Sequence, residues 1–342
     1  MRIAIDGMGG DHAPGEVVAG VAEAARQLPE VRLLLVGRRE LVGRPDLPSN
    51  VQIVDASEVV GMEEEPARAL RGKPDSSLRV SLRLVKRGEA DAVISAGNTG
   101  ALVGGAVVPV FGLGNLPGVK RPGIAIPFPS DRGTCALIDA GANPHAKADH
   151  LVQYAVMGSV YVRYLRPGIG TPRVGLLNIG EEPRKGTDLV RQAYGYLEEA
   201  HPNFEFIGNI EPHRLFSGRA DVVVCDGFVG NLMLKMAEGV ENFILRIFSN
   251  GRSDHPEVRL GIQQATEKLD YSEYGGAPVL GVRGVVIKAH GRSRAKAITN
   301  AVKVTAGFLR DRLNDHIVEE LRKLSLWSAW FAKWFSWPKE SE

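Results

Sequence analysis

Three polar side chains and two glycines share one short turn, Ser95-Ala96-Gly97-Asn98-Thr99-Gly100. The apolar run Ala92-Val93-Ile94 before it reads as a buried parallel strand, and Ala101-Leu102-Val103 after it as the start of a helix. Such a helix opens with N–H groups that have no intrahelical partner. With Ser95, Asn98 and Thr99 supplying side-chain donors and glycine allowing close approach, the turn suits an anion, phosphate above all. The same residues also serve a plainer purpose, since Asn98 or Thr99 can simply cap the helix.

Four more loops share this plan. Apolar runs lead into Asp6-Gly-Met-Gly-Gly-Asp11, Asp139-Ala-Gly-Ala-Asn143, the stretch from Asn178 to Gly186, and Asp226-Gly-Phe-Val-Gly-Asn231. Strand-like segments Arg2–Asp6, Val31–Val36, Val51–Val54, Ala92–Ile94, Ile124–Ile126, Cys135–Ile138, Val174–Leu177, Phe204–Ile207 and Val222–Cys225 alternate with helical ones. That alternation predicts an α/β fold with a mostly parallel sheet covered on both faces. Ligands in such folds lie outside the carboxyl ends of the strands, where all five loops fall. The spacing of Gly7, Gly9 and Gly10 is not a dinucleotide fingerprint, and no Walker lysine follows. A dehydrogenase is therefore disfavoured, and the edge is suited to a small anion.

Composition sets the outer limits. The 342 residues are 44% hydrophobic and 24% charged, as in a globular protein. A formal net charge of +2, without a basic arm carrying interleaved aromatics, gives no reason to expect nucleic acid. Cys135 and Cys225 lie far apart in apolar runs and read as buried thiols, so neither a metal nor a disulfide is expected. The chain opens on strand-like MRIAID and has no apolar run long enough for a bilayer, which places the expectation in the cytoplasm.

Seven segments together resemble the bacterial phosphate acyltransferases of phospholipid synthesis, the PlsX family: IDGMGGDHAP (5–14), SAGNTGAL (95–102), DAGAN (139–143), LLNIGEE (176–182) with the KG at 185–186, CDGFVGNLMLK (225–235), YGGAP (274–278) and VVIKAHG (285–291). The resemblance implies transfer of an acyl group from acyl carrier protein to inorganic phosphate, with the acyl phosphate passing to a membrane glycerol-3-phosphate acyltransferase. It implies no cofactor. It also implies a homodimeric, Rossmann-like three-layer α/β/α sandwich akin to phosphotransacetylases and isocitrate or isopropylmalate dehydrogenases, with residues 1–316 forming one catalytic domain.

Phosphate is a competent nucleophile near neutral pH, so the reaction requires no covalent Ser or Cys. It needs a phosphate cradle, in-line placement and donors for the developing oxyanion. Beside the resemblance, Lys185, Asn231 and His290 are the catalytic candidates: Lys185 for the cradle, Asn231 for phosphate or oxyanion, His290 for the leaving thiolate or for orienting phosphate. Ser95, Gly97, Asn98, Thr99, Gly9, Gly10, Asp11, Asn143 and Gly230 complete the phosphate and substrate set. Each catalytic candidate has a bland alternative: an exposed charge for Lys185, a cap for Asn231, a packed imidazole for His290. Asp6, Asp11, Asp139 and Asp226 would repel phosphate if all faced it, so they are expected to brace loops or orient Lys185.

Residues 236–270 read as a helical hairpin, Met236–Phe248 and about Pro256–Leu269, which the resemblance puts at the dimer interface with its tip on the membrane. Here that tip, residues 249–254, is short and polar. The tail 317–342 offers a replacement, with all four tryptophans between Trp327 and Trp337. Leu324, Trp327, Trp330, Phe331, Trp334 and Phe335 recur at helical spacing near basic residues, as in an interfacial helix. Two other functions fit parts of this pattern: a CoA-dependent phosphotransacetylase or phosphate butyryltransferase, and a non-catalytic membrane scaffold for lipid synthesis.

Overall fold

The structure is a computed structural model that describes residues 1–44, 46–199, 203–249 and 275–327. The second hairpin helix, the hairpin tip beyond Ser249, Tyr274 and the tail beyond Trp327 lie outside the described residues. The chain forms two compact units, one from Met1–Pro122 with the described part of Tyr274–Glu342, the other from the described part of Gly123–Glu273.

Unit one contains β1 (Arg2–Asp6), α1 (Gly15–Gln27), β2 (Arg32–Gly37), α2 (Arg39–Val42), β3 (Val51–Asp55), α3 (Pro66–Gly72), α4 (Ser77–Lys86), β4 (Ala92–Ser95) and α5 (Thr99–Val107). Unit two contains β5 (Gly123–Ser130), β6 (Gly133–Ile138), α6 (Ala148–Leu165), β7 (Arg173–Leu177), α7 (Asp188–Glu199), β8 (Glu205–Ile210), β9 (Val222–Val224) and α8 (Gly227–Ser249). The chain then returns to unit one for β10 (Ala277–Leu280), β11 (Val285–Lys288), α9 (Ala295–Arg310) and α10 (Leu313–Trp327).

The described strands of unit one run β3-β2-β1-β4-β11-β10, parallel except that β10 opposes β11. Ile3, Ala4, Ile5, Val93 and Ile94 are fully buried, as unbroken apolar strands covered on both faces must be. Helices α1 and α9 pack together in one layer, while α4 sits against β1, β2 and β4 and meets α5. The described strands of unit two run β5-β6-β9-β7-β8, with β5 antiparallel to β6 and the rest parallel. Helix α6, buried along most of its length, covers β6 and β9.

Three boundaries differ from the sequence reading. Strand β5 runs on through Pro127 and Pro129 to Ser130, four residues beyond an expected end at Ile126, because in this antiparallel hairpin with β6 it is an edge strand of unit two, where proline is tolerated. Helix α8 is continuous from Gly227, so Met236–Phe248 is its later half and not a separate helix. In α10, Leu324 is buried with Leu313, Ile317 and Leu321 on the face packed against unit one. Leu324 therefore does not belong to the exposed apolar face assigned to the tail.

Candidate active site

In unit one, neighbouring strands β1, β4 and β11 deliver three turns to the same carboxyl edge. Asp6, at the end of β1, is buried and accepts from Ser77 Oγ at 2.5 Å, Ser95 Oγ at 2.7 Å and Met8 N at 3.3 Å. Burial pushes its pKa up, against these hydrogen bonds and the charge of Lys288. Ser95 Oγ also accepts from Gly97 N at 3.0 Å, so this hydroxyl ties β1 to the turn after β4. A Cβ on Gly9 would lie 2.5 Å from Asp6 Oδ2 and 2.8 Å from Gly97 N, which requires glycine there. The third turn joins through Asp11 N, donating to Gly291 O at 2.8 Å, and Lys288 Nζ, donating to Ala96 O at 3.4 Å and to Ala289 O.

Asn98 is fully occupied. Its Oδ1 caps α5 by accepting from Ala101 N at 3.0 Å, and its Nδ2 donates to Met62 O and Glu64 O at 3.0 Å each and to Gly61 O at 3.4 Å. It thus holds the 61–64 loop onto the start of α5 and has nothing left for a ligand. The amides of Thr99 and Gly100 have no hydrogen-bond partner among the described residues, and neither has the Thr99 hydroxyl. The open helix end suits an anion. His290 Nδ1 accepts from Arg292 N at 3.1 Å, which puts the proton of the neutral ring on Nε2.

In unit two the carboxyl edge is built by the loops after β6, β9 and β7, consecutive strands of the sheet. Asp139 is fully buried, and the 140–143 loop wraps its carboxylate. Oδ1 accepts from Ala142 N at 2.8 Å and from Ile124 N and Gly141 N at 3.0 Å; Oδ2 accepts from Asn143 N at 2.7 Å and Asn143 Nδ2 at 3.2 Å. Burial raises its pKa and the amides oppose that rise. Asp139 is a brace for the loop. Asn143 Nδ2 also reaches Tyr154 Oη at 2.8 Å, so it too is a strut.

The first turn of α8 rests on that loop. Asp226 Oδ1 accepts from Val229 N at 2.9 Å, and Gly227 N donates to Asn143 O at 2.9 Å. A Cβ on Gly230 would fall 1.9 Å from Asp139 O. Because α8 starts at Gly227, Asn231 lies inside the helix and is not its cap; it is exposed, with its side chain beside Gly141. Lys185 is half-exposed, its Nζ 4.0 Å from Glu182 Oε1. Its backbone is fixed by Asn178 Nδ2, donating to Lys185 O at 3.0 Å, and by Asn209 Nδ2, donating to Glu182 O at 2.8 Å. The acid beside Lys185 is a glutamate, not one of the four strand-end aspartates.

The candidates thus divide by unit: Gly9, Gly10, Asp11, Ser95, Gly97, Asn98, Thr99 and His290 in unit one, Asn143, Lys185, Gly230 and Asn231 in unit two. Ser77, Asn178, Asn209, Tyr154 and Lys288 were missed. Lys288 had a signal, a lone cation ending an apolar run; Ser77 had none, 71 residues from Asp6. Both cysteines are buried, Cys135 with its pKa pushed up to about 12 and Cys225 with its pKa also raised, so neither offers a thiolate. Among the described residues no group of His, Cys, Asp and Glu could hold a metal ion.

This architecture is that of the phosphotransacylases. A phosphotransacetylase from Streptococcus pyogenes matches with a TM-score of 0.58 at 18% identity, over 91% of this chain and 94% of its own. A branched-chain phosphotransacylase from Enterococcus faecalis V583 matches with a TM-score of 0.56 at 14% identity, over 94% and 99%. At such identities the likeness concerns the fold alone.

Sequence kinship is closer. The fatty acid synthesis protein family matches residues 1–315. A phosphate acyltransferase from Heliobacterium modesticaldum is 48% identical over 317 residues, 89% of this chain and 92% of the relative. Another, from Desulfitobacterium hafniense, is 44% identical over 335 residues, 94% and 97%. The chain belongs to this family of acyltransferases, as its seven motifs imply.

Proposed function

We propose that this chain transfers a fatty acyl group from acyl carrier protein to inorganic phosphate, making an acyl phosphate for phospholipid synthesis. What carries the reading is the α5 N-terminus, with two unpartnered amides and a hydroxyl, in a chain whose relatives are phosphate acyltransferases by name. A phosphate oxygen attacks the thioester carbonyl, the C–S bond breaks, and the carrier thiolate leaves and takes up a proton. In unit one the α5 amides and Thr99 are suited to the phosphate, and His290 Nε2–H to the leaving sulfur. Taken by itself, unit two offers Lys185 and Asn231, a cation and an amide donor of the kind that suits charge developing in a transition state. No cofactor enters.

The test is direct. Purified protein, acyl carrier protein thioester and phosphate are mixed, and acyl phosphate is trapped with hydroxylamine as the hydroxamate. Hydroxamate from the carrier thioester supports the reading. Product from acyl-CoA alone would move the assignment to a CoA-dependent phosphotransacylase, and no product from either would refute it.

The surface supports a reading of the partners. Helix α8 exposes Phe228, Leu232, Met236, Val240, Phe243 and Ile247, three or four residues apart along one stripe. An apolar stripe that long calls for a cover, which supports a homodimer. Arg292, Arg294 and Lys296, beside the His290 loop, are the basic surface proposed for an acidic carrier protein. Among the described residues no helix is long and apolar enough to cross a membrane. The Trp-rich tail supports peripheral attachment to the inner face of the cell membrane, where the product would meet the downstream glycerol-3-phosphate acyltransferase.

A further inference from the structure

Unit one has a concavity at the opposite end of the strands that carry the site. It lies beside Asp91 and Gly284, which immediately precede β4 and β11, and is an open cleft of about 680 Å³, within the range of small-molecule sites. Val85, Leu113 and Pro109 form apolar walls, and Lys86 and Arg283 stand among them. The wall from Pro109 to Asn115 is held in place: Leu113 N and Gly114 N donate to Ala106 O, and Arg283 N donates to Gly114 O, each at 2.9 Å. Gly284, with φ +77°, leaves the floor open, since a Cβ there would lie 2.8 Å from Val85 Cγ1 and 3.4 Å from Leu113 Cδ1.

The charges in this cavity are unequally engaged. Asp91 is occupied by Arg2, accepting from its backbone N at 2.8 Å and from Nη2 at 2.9 Å. Carbonyls at the end of α4 are capped, Val85 O by Gly88 N at 3.0 Å and Leu84 O by Ala90 N at 3.1 Å. Arg283 uses only Nε, to Asn115 O at 3.1 Å, so among the described residues its two terminal nitrogens have no partner. Lys86 Nζ makes one bond, to Pro109 O at 2.5 Å, and keeps two further N–H groups. Exposed Val108 and Val110 flank Pro109.

We infer that this cavity binds an amphipathic anion, a carboxylate or phosphate head on Arg283 and Lys86 with an apolar chain along Val85, Leu113 and Pro109. A bidentate guanidinium suits either head, and the walls offer a chain a surface that water wets poorly. The inference does not depend on the chemistry at the carboxyl edge.

Isothermal titration of the full chain with decanoate and with decyl phosphate tests it, inorganic phosphate and decanol serving as head-only and tail-only controls. Saturable binding of at least one amphiphile is expected, weakened about tenfold or more in Lys86→Glu/Arg283→Glu. The gentler pair Lys86→Met/Arg283→Met should show the same direction if charge reversal disturbs folding, and thermal melting reports that. Comparison of the two amphiphiles identifies the preferred head. Equal affinity in wild type and both variant pairs, loss of binding only on Lys185→Ala, or no saturable binding of either amphiphile would overturn the inference.

Discussion

Asn178 Nδ2 donates to the carbonyl of Lys185 at 3.0 Å, so the residue just after β7 fixes the backbone beneath the exposed ammonium. Gly186 completes the arrangement with φ +87°, its Cβ position only 2.4 Å from Asn178 Oδ1. Asn178 is thus a positioning residue for Lys185. Asn178→Ala should lower kcat with little change in the Michaelis constant for the carrier thioester. In Lys185→Ala the same change should add almost nothing, as expected when two residues act through one group. Additive losses in that double-mutant cycle would separate the two.

Lys185→Ala and Asn231→Ala should each cut turnover by about tenfold or more, approaching the roughly 100-fold cost of losing one oxyanion donor. Both side chains are exposed, so melting temperatures should barely move. Near-normal hydroxamate yields in both would remove them from the chemistry. Ser95→Ala should act differently, as a loosened brace between β1 and β4, with a lower melting temperature.

How far the sequence disclosed this site depends on the kind of force involved. Five strand-end loops were legible because a buried parallel strand is an unbroken apolar run and a tight turn requires glycine or asparagine. The roles of Ser95 and Asn98 were not. Ser95 is committed to Asp6 and Asn98 to the 61–64 loop by hydrogen bonds across 89 and 34 to 37 residues, which leave no periodic trace. Strands β10 and β11 escaped for another reason. They are four residues each, Ala277–Leu280 and Val285–Lys288, in a stretch where no helix between them gives the alternation that marks most of the other strands.

Gly230 gives the clearest steric prediction. The obstruction to a Cβ is a backbone oxygen, Asp139 O at 1.9 Å, which cannot swing aside like a side chain. Gly230→Ala should destabilise unit two by about 1–3 kcal/mol or more, the scale of overpacking, and reduce activity by displacing the first turn of α8. Gly239, in the same helix with nothing within 4 Å of its Cβ position, is the control. Gly239→Ala should be neutral or slightly stabilising, and chemical denaturation of both variants provides the comparison.

Acid should weaken one buried ion pair selectively. Burial of Asp221 works against its charge, but hydrogen bonds from Arg173, at 2.9 to 3.0 Å, and Arg166, at 2.7 Å, hold its pKa below the usual 3.8. A depressed folded pKa means that the stabilisation is complete above the unfolded value and is lost as pH falls through the folded one. Asp221→Asn should therefore cost about 3–5 kcal/mol at neutral pH, the scale of breaking a buried ion pair, with the gap from wild type closing in strong acid. Asp6 and Asp139, whose pKa values burial raises, act in the opposite sense: their contribution declines as pH rises from the unfolded to the folded value. Denaturation of wild type and variant across acid pH isolates Asp221, and a gap independent of pH would show that the pair contributes through packing.

The tail can be tested with a cut that the fold itself defines. Leu313, Ile317, Leu321 and Leu324 are all buried at 4% exposure or less, so α10 is part of the packing of unit one as far as Leu324. A deletion beginning at Arg322 would remove Leu324 from that packing and confound any membrane measurement. Removing residues 328–342 spares them and takes away three of the four tryptophans. Aromatic side chains contribute about 1.5–3 kcal/mol each when fully buried and less at a lipid interface, so the proposed attachment would be reversible and, in the proposed dimer, strengthened by two tails. The truncated protein should leave anionic vesicles in a sedimentation assay while keeping its melting temperature, its dimeric mass and its rate of hydroxamate formation from soluble substrates. Continued sedimentation with vesicles would place membrane contact elsewhere on the chain, and loss of the dimer would make the tail a packing element between subunits.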